Sequence, residues 1–401
     1  MPGSVGYYRC WQLSYFSSDA VLGSPSPLAS LLAIRKASLT HSGSTMSATD
    51  RNGFTIIEFG IILVILAILA AMLLPVTRGA RDVARRMQCS NNLKQLALSC
   101  HNYEASFKCF PNVSGGTGSE LGPHGGNCDR RSGFVALLPF LEVGSFAQEI
   151  AEEQTIGDIT FPPGGPAPWV TAYPPWVTPP ALFTCTSGEP PRAAPNSIAR
   201  VSYAFSIGDV AEDIRSPTVL RGAFAVGMYP KIEQYHDGMS NTVAILEVGN
   251  RYSQRASDTF AIDQSLSIIR NPTVCRTLVV KGEYRSDIGT STLGRGGRWN
   301  DGAPGLTLTN TILPPNAPSC STGDETSDGI FSAGSYHTAG INVAIADGSV
   351  MFISDSIDCG DLTATPPSFR QPRSSSKRTE SPFGVWGALG TRAGQETRSL
   401  E

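Results

Sequence analysis

The chain has 401 residues, 41% of them hydrophobic and 16% charged, with a formal net charge of -3 and a pI near 6.0. That length allows one large or two moderate domains with a real core. The near-neutral charge excludes a nucleic-acid partner and broad electrostatic steering.

The first 45 residues carry Ser, Ala and Leu without a clear period, and Met46 then opens a short leader. Residues 1-45 are therefore expected to be a gene-model extension within a leader of 1-53. From Phe54 to Leu74 the chain is almost continuously apolar, broken mainly by Thr55 and Glu58. A hydrocarbon core about 30 Å thick needs roughly 20 apolar helical residues, so this run predicts a membrane-spanning helix to about residue 74. An acidic side chain there costs a few kcal/mol, roughly, and Glu58 should have a partner or a job. A cut after Gly53 would leave a free amine on Phe54 four residues from Glu58, on the same helical face.

Arg51, Gly53, Phe54 and Glu58 before an apolar helix resemble the class III signal of type IV prepilins and type II secretion pseudopilins. The resemblance implies cleavage at Gly53-Phe54 and N-methylation of Phe54 by a prepilin peptidase, with Glu58 guiding docking into a filament. An ordinary signal peptide would instead carry its cut after the apolar stretch. Arg78, Arg81, Arg85 and Arg86 follow the run, and the positive-inside rule would put the following domain in the cytoplasm. The more specific prepilin pattern favours an extracytoplasmic domain.

Pro75 should kink the helix. Beyond it Cys89, Leu93, Leu96, Cys100, Tyr103 and Phe107 recur at four- and three-residue steps, predicting one apolar stripe of a helix spanning 54-110 and packed on a sheet. Pro111 and the Gly-rich stretch from Ser114 should end it. Eight cysteines follow the proposed cut, an even count that permits disulfides, with buried free thiols as the alternative, and their scattered spacing without a CxxC pair argues against a zinc cluster. Residues 162-180 contain eight prolines with Trp169, Tyr173 and Trp176, and read as a surface loop or a docking edge.

A second resemblance runs almost end to end. Arg85 to Leu96 with His101-Asn-Tyr103, Phe134 to Leu141, Asp237 to Thr242, Trp299-Asn-Asp-Gly302 with Pro314-Pro-Asn316, and His337 followed nine residues later by Asp347-Gly348 resemble the large prepilin-like proteins with a DUF1559 domain and a C-terminal H-x9-DG motif. Phe59-Gly60 departs from the leucine-like pair usual there, and Thr365 to Pro382 is an unusual insert that reads as disordered.

The histidine motif reads as a hairpin. Ile341, Val343 and Ile345 alternate with smaller residues, Asp347-Gly348 is a favoured two-residue turn, and alternation resumes at Val350 and Phe352. Pairing Ala346 with Ser349 would place Ile341, Val343, Ile345, Val350 and Phe352 on one core face. Asp347 is then a turn former, and His337 lies too far along the strand to reach it, so a structural hydrogen bond is the role assigned to His337, with a ligand or metal role as the alternative ahead of acid-base chemistry. Asp324, Glu325 and Asp328 could offer oxygens to calcium but lack EF-hand spacing, and a solvated acidic turn is the reading taken. No nucleophile, phosphate loop or metalloprotease pattern is found, so no catalytic residue, cofactor or metal is expected.

The expected protein is α+β and pilin-like: a long N-terminal transmembrane helix packed on an antiparallel β-sheet, an enlarged β-rich domain over 111-364, an insert over 365-382 and a C-terminal segment over 383-401. Its expected place is the inner membrane, as a single-pass protein with an extracytoplasmic domain, or a periplasmic or cell-surface fibre. Expected partners are the prepilin peptidase, other pilin-like subunits, the assembly machinery and the cytoplasmic membrane. The alternative is a membrane-anchored extracytoplasmic ligand-binding or adhesion protein that never polymerises.

Overall fold

A computed structural model describes residues 55-118, 122-188, 197-216, 221-251, 253-367 and 380-394, with only the backbone described over 70-80. Gly53 and Phe54, the leader 1-53 and most of the insert lie outside the described residues. The chain falls into two compact units, Met1-Thr77 and Arg78-Glu401.

In the first unit, helix α1 (Ile56-Phe107) begins behind a reciprocal cap. The Thr55 backbone N-H donates to Glu58 Oε2 at 2.9 Å, and the Glu58 N-H donates to Thr55 Oγ1 at 3.3 Å. Thr-Ile-Ile-Glu is a capping box, which satisfies N-H groups that the helix cannot bond itself. Ile56, Ile57, Phe59 and the apolar residues to Leu69 are exposed. No helix among the described residues is long and apolar enough to cross a membrane. The expected transmembrane helix is therefore corrected, and the single-pass anchor loses its support.

In the second unit, the predicted stripe is buried from Cys89 to Tyr103, where Cys89, Leu93, Leu96, Cys100 and Tyr103 are all at most 6% exposed, while its last member, Phe107, is half-buried. Helix α1 stops at Lys108, whose φ of +59° is left-handed and whose N-H bonds Glu104 O at 2.7 Å. This is a left-handed C-terminal cap, placed earlier than the proline expected to end the helix.

The rest is mixed α/β, with most strands in the C-terminal part, rather than one antiparallel sheet behind a helix. Five strands lie in the order Leu308-Thr309, Tyr203-Ser206, Val243-Glu247, Gly340-Ile345 and Val350-Ser354. The first pair is parallel and the others antiparallel. A three-stranded sheet of Gly329-Ile330, Ser319-Ser321 and Phe260-Ala261 again combines one antiparallel with one parallel pair. Parallel pairing needs long crossovers, which the intervening loops and short helices supply.

The hairpin forms, but one residue out of the expected register. Ala344 faces Val350 and Ile341 faces Ile353, while the Ile345 N-H donates to Ser349 O and the Gly348 N-H to Ile345 O, both at 2.9 Å. A two-residue turn of the favoured kind needs positive φ at both central residues. Only Gly348, at +88°, has it, so Ala346, Asp347 and Gly348 form a three-residue loop with a left-handed glycine last. The shift turns Val350 and Phe352 away from the core and turns Met351 and Ile353 into it. That core gathers Val243, Leu246, Ile341, Val343, Ile353 and Trp386, with Trp386 Nε1 donating to Leu313 O at 2.9 Å. Gly348→Ala should cost about 1-2 kcal/mol, because a Cβ disfavours left-handed backbone. An unchanged thermal midpoint in that variant would show that the turn does not need the conformation.

The proline-rich segment is also corrected. Tyr173 and Trp176 are fully buried, and Trp169 alone of its three rings is exposed. Trp176 stacks edge-on against Trp299 at 5.6 Å between centroids, and Phe183 lies 5.4 Å from Trp299. Prolines bury apolar rings without spending N-H groups, so a segment poor in regular structure can still be core.

Candidate functional site

Tyr203 is paired with Glu247 across adjacent strands, and its hydroxyl donates to the Cys89 carbonyl on α1 at 3.4 Å. This face of the five-stranded sheet therefore looks towards α1. Glu247 is 1% exposed, and a carboxylate buried so deeply must be hydrogen-bonded to be tolerated. Asn342 supplies the bonds, its backbone N-H to Oε2 at 2.8 Å and its Nδ2 to Oε1 at 3.0 Å. His337 Nε2 lies 3.5 Å from Glu247 Oε1 and 3.6 Å from Cys185 Sγ. Cys185 is disulfide-bonded to Cys89. The result is a compact group of a carboxylate, an imidazole and two sulfurs beneath the start of the packed half of α1.

The two ends of the histidine motif do not meet, because the strand Gly340-Ile345 lies between them. Asp347 accepts the Ser349 N-H at 2.8 Å, as a turn former does. At the same turn Lys94 Nζ of α1 donates to Gly348 O at 2.6 Å. Between the two ends, the Arg86 guanidinium lies 3.5 Å from the centre of the Phe352 ring. Nine intervening residues thus carry the hairpin along α1, with His337 at one end, Gly348 at the other and Phe352 between.

His337 and Tyr336 also line an open groove of about 630 Å³ with Arg85, Arg86, Arg251 and Arg255. Arg251 stacks on Tyr336, 3.9 Å from the ring centre. Four guanidiniums against Asp82 and Asp355 give the groove an excess of positive charge.

The expected calcium candidates do not converge on a common point. Asp324 accepts from the Thr326 N-H at 2.8 Å and its hydroxyl at 2.7 Å. Burial works to raise its pKa, but these bonds and one from Ser327 outweigh it and hold the carboxyl below its usual range. Glu325 pairs with Arg130 at 3.2 Å, and Asp328 accepts the N-H groups of Asp213 and Ile214, each at 2.9 Å. Each carboxylate is thus turned to its own protein donors.

The Trp299-Asn-Asp-Gly302 motif forms a second polar centre. Trp299 Nε1 donates to Trp176 O at 3.1 Å and Asn300 Nδ2 to Pro168 O at 3.2 Å, fastening the proline-rich segment. Asp301 is fully buried and takes a two-pronged bond from Arg130 at 3.0 and 2.6 Å. Desolvation weakens the Arg130 charge, but Asp301 and Glu325 more than offset it and raise its pKa.

Glu247 and its group with Cys89 and Cys185 were missed in reading the sequence, although a signal was present. Val243-Ala-Ile-Leu-Glu247 places a carboxylate inside an apolar strand, the same oddity that draws attention to Glu58. No curated protein and no solved structure is significantly similar to this chain. A family described as "Protein of unknown function (DUF1559)" matches residues 78-360, a span holding the packed half of α1, the Arg130-Asp301 pair, the Glu247-His337 pair and the whole hairpin, and the chain belongs to that family.

Proposed function

We propose that this protein is a prepilin-like structural subunit, cut after Gly53, N-methylated on Phe54 and joined to other pilin-like subunits in an extracytoplasmic fibre. The observation that carries the reading is the contrast along α1. The stripe from Cys89 to Tyr103 is buried in the second unit, whereas Ile56 to Leu69 are exposed among the described residues. Helices of neighbouring subunits would cover that run, and Glu58 would meet the methylated amine of the next Phe54, offsetting the cost of burying either charge. The Cys89-Cys185 and Cys275-Cys320 disulfides support an oxidising compartment outside the cytoplasm. The prepilin peptidase and an assembly machinery of the pilus or type II secretion kind are the partners this role requires. The role is structural and includes no catalytic step.

Two substitutions separate the duties of Glu58. Glu58→Gln keeps the capping box, which accepts glutamine, and removes the charge. Glu58→Ala removes both. Sheared surface material should lack the protein in both variants, with the domain folded as in the parent. Normal assembly of Glu58→Gln would sink the charge-pairing role and leave only the cap.

A second reading, an extracytoplasmic ligand-binding protein that does not polymerise, is favoured by the arginine groove. It would leave the protein absent from sheared fibres and its N-terminus unmethylated. Peptide mass spectrometry of native protein distinguishes the two, because a chain beginning at methylated Phe54 belongs to the first reading.

A further inference from the structure

We propose that Cys89, Cys185, Glu247 and His337 hold a zinc ion while the cysteines are still thiols, before the disulfide closes. The site rests on these four side chains and not on the fibre reading. Their donor atoms all lie within 4.8 Å of one another. Around tetrahedral zinc, with bonds of about 2.0-2.3 Å, neighbouring donors are spaced roughly 3.3-3.8 Å apart. The His337 nitrogen already stands 3.6 Å from the Cys185 sulfur and 3.5 Å from the Glu247 oxygen. The two sulfurs, bonded to each other here, need to separate.

The donor set selects the metal. Two thiolates, an imidazole and one carboxylate oxygen form a mixed borderline set that suits zinc and does not suit calcium or magnesium. Outer support is present, because both Glu247 oxygens are held by Asn342, and such partners orient the ligands. An entry path is present too, since His337 lines the open groove. Zinc with two thiolates and a carboxylate carries one net negative charge, and Arg86 and Arg251 line the same groove as His337.

The exchange balances. Zinc binding displaces a proton from each thiol, so the affinity weakens on acidification. When a disulfide donor arrives, the two thiolates give it two electrons, the Cys89-Cys185 bond forms, the donor's bond breaks, and the donor's sulfurs take up two protons. Zinc leaves as the divalent ion. The metal thus keeps these two sulfurs next to each other and away from Cys100, Cys109, Cys128 and Cys359, the cysteines of the described residues that lie in no disulfide.

The test uses the full chain, reduced with a phosphine, stripped of metal by a chelator and titrated with cobalt and then zinc. One ion per chain is expected, with a sulfur-to-cobalt charge-transfer band and tetrahedral cobalt absorption. Oxidation by a disulfide donor should release the ion and restore the Cys89-Cys185 peptide. His337→Ala should weaken binding by at least about 10-100-fold, the loss usual even for an outer-shell partner. Glu247→Gln, which keeps the Asn342 side-chain contact, serves if His337→Ala fails to fold by circular dichroism. The site is overturned if the folded, reduced parent takes up no cobalt, if the oxidised chain binds as tightly, or if the folded variants bind like the parent.

Discussion

Asp301→Ala is expected to lower stability by about 3-5 kcal/mol, the usual cost of breaking a buried pair from one side. Asp301 is fully buried, and its oxygens serve Arg130, Arg298 at 3.4 Å and the Ala303 N-H at 3.1 Å. Truncation leaves the Arg130 guanidinium, 13% exposed, with Glu325 as its remaining carboxylate partner among the described residues. The deficit should appear as a lower denaturant midpoint. Replacing both partners, as in Arg130→Met with Asp301→Leu, should recover part of the loss, since removing a whole pair is far less costly than orphaning one charge. If Asp301→Ala stays within about 1 kcal/mol of the parent, the pair does not hold Arg130 to the Trp299-Gly302 turn as its geometry implies.

Loss of the Cys89-Cys185 disulfide should be comparably large. The bond joins α1 to the segment before the central strands across 96 positions of sequence. Closing a loop of that size removes unfolded-state entropy worth about 4.7 kcal/mol in the chain-entropy model, within an observed range of about 2-5. Cys89→Ala with Cys185→Ala should therefore reduce the midpoint of thermal unfolding markedly. The Cys275-Cys320 bond spans 45 positions, and its removal should cost roughly 0.6 kcal/mol less, following the slow growth of closure entropy with length. Equal stability of the Cys89/Cys185 variant and the parent, under oxidising conditions, would contradict this.

The disulfide and the zinc proposal make opposite demands on the same two sulfurs, which makes them separable. Removing the cysteines lowers stability in the oxidised chain and abolishes metal binding in the reduced one. His337→Ala should affect only the second. A large stability loss in oxidised His337→Ala would instead assign the imidazole to packing.

Several features were legible from the residues alone. The stripe from Cys89 to Tyr103 is buried as its spacing predicts, because 3.6 residues per turn fix which side chains share a helical face. Asp347-Gly348 marks a turn, and His337 does not reach Asp347, because strand length alone keeps them apart. The order of the motifs from Arg85 to Gly348 points to the family that matches residues 78-360. The cap of α1 is also present in the sequence as Thr55 and Glu58, the three-residue spacing of a capping box.

What the sequence could not decide was set by contacts between distant segments. The hairpin register followed from the backbone of Gly348 and from the packing of Phe352 on Arg86, and a slip of one residue exchanges the two faces of a strand whatever its pattern. The proline-rich segment is core because Trp299 and Asn300, more than a hundred residues later, give its rings and carbonyls partners. Parallel pairing, the choice among possible disulfides, and the meeting of Glu247, His337, Cys89 and Cys185 likewise arise from residues far apart in the chain. Sequence by itself determined periodicity, turns and family. Only the tertiary structure decided which buried charges found each other, since burying a carboxylate is tolerable only where its partners are already in place.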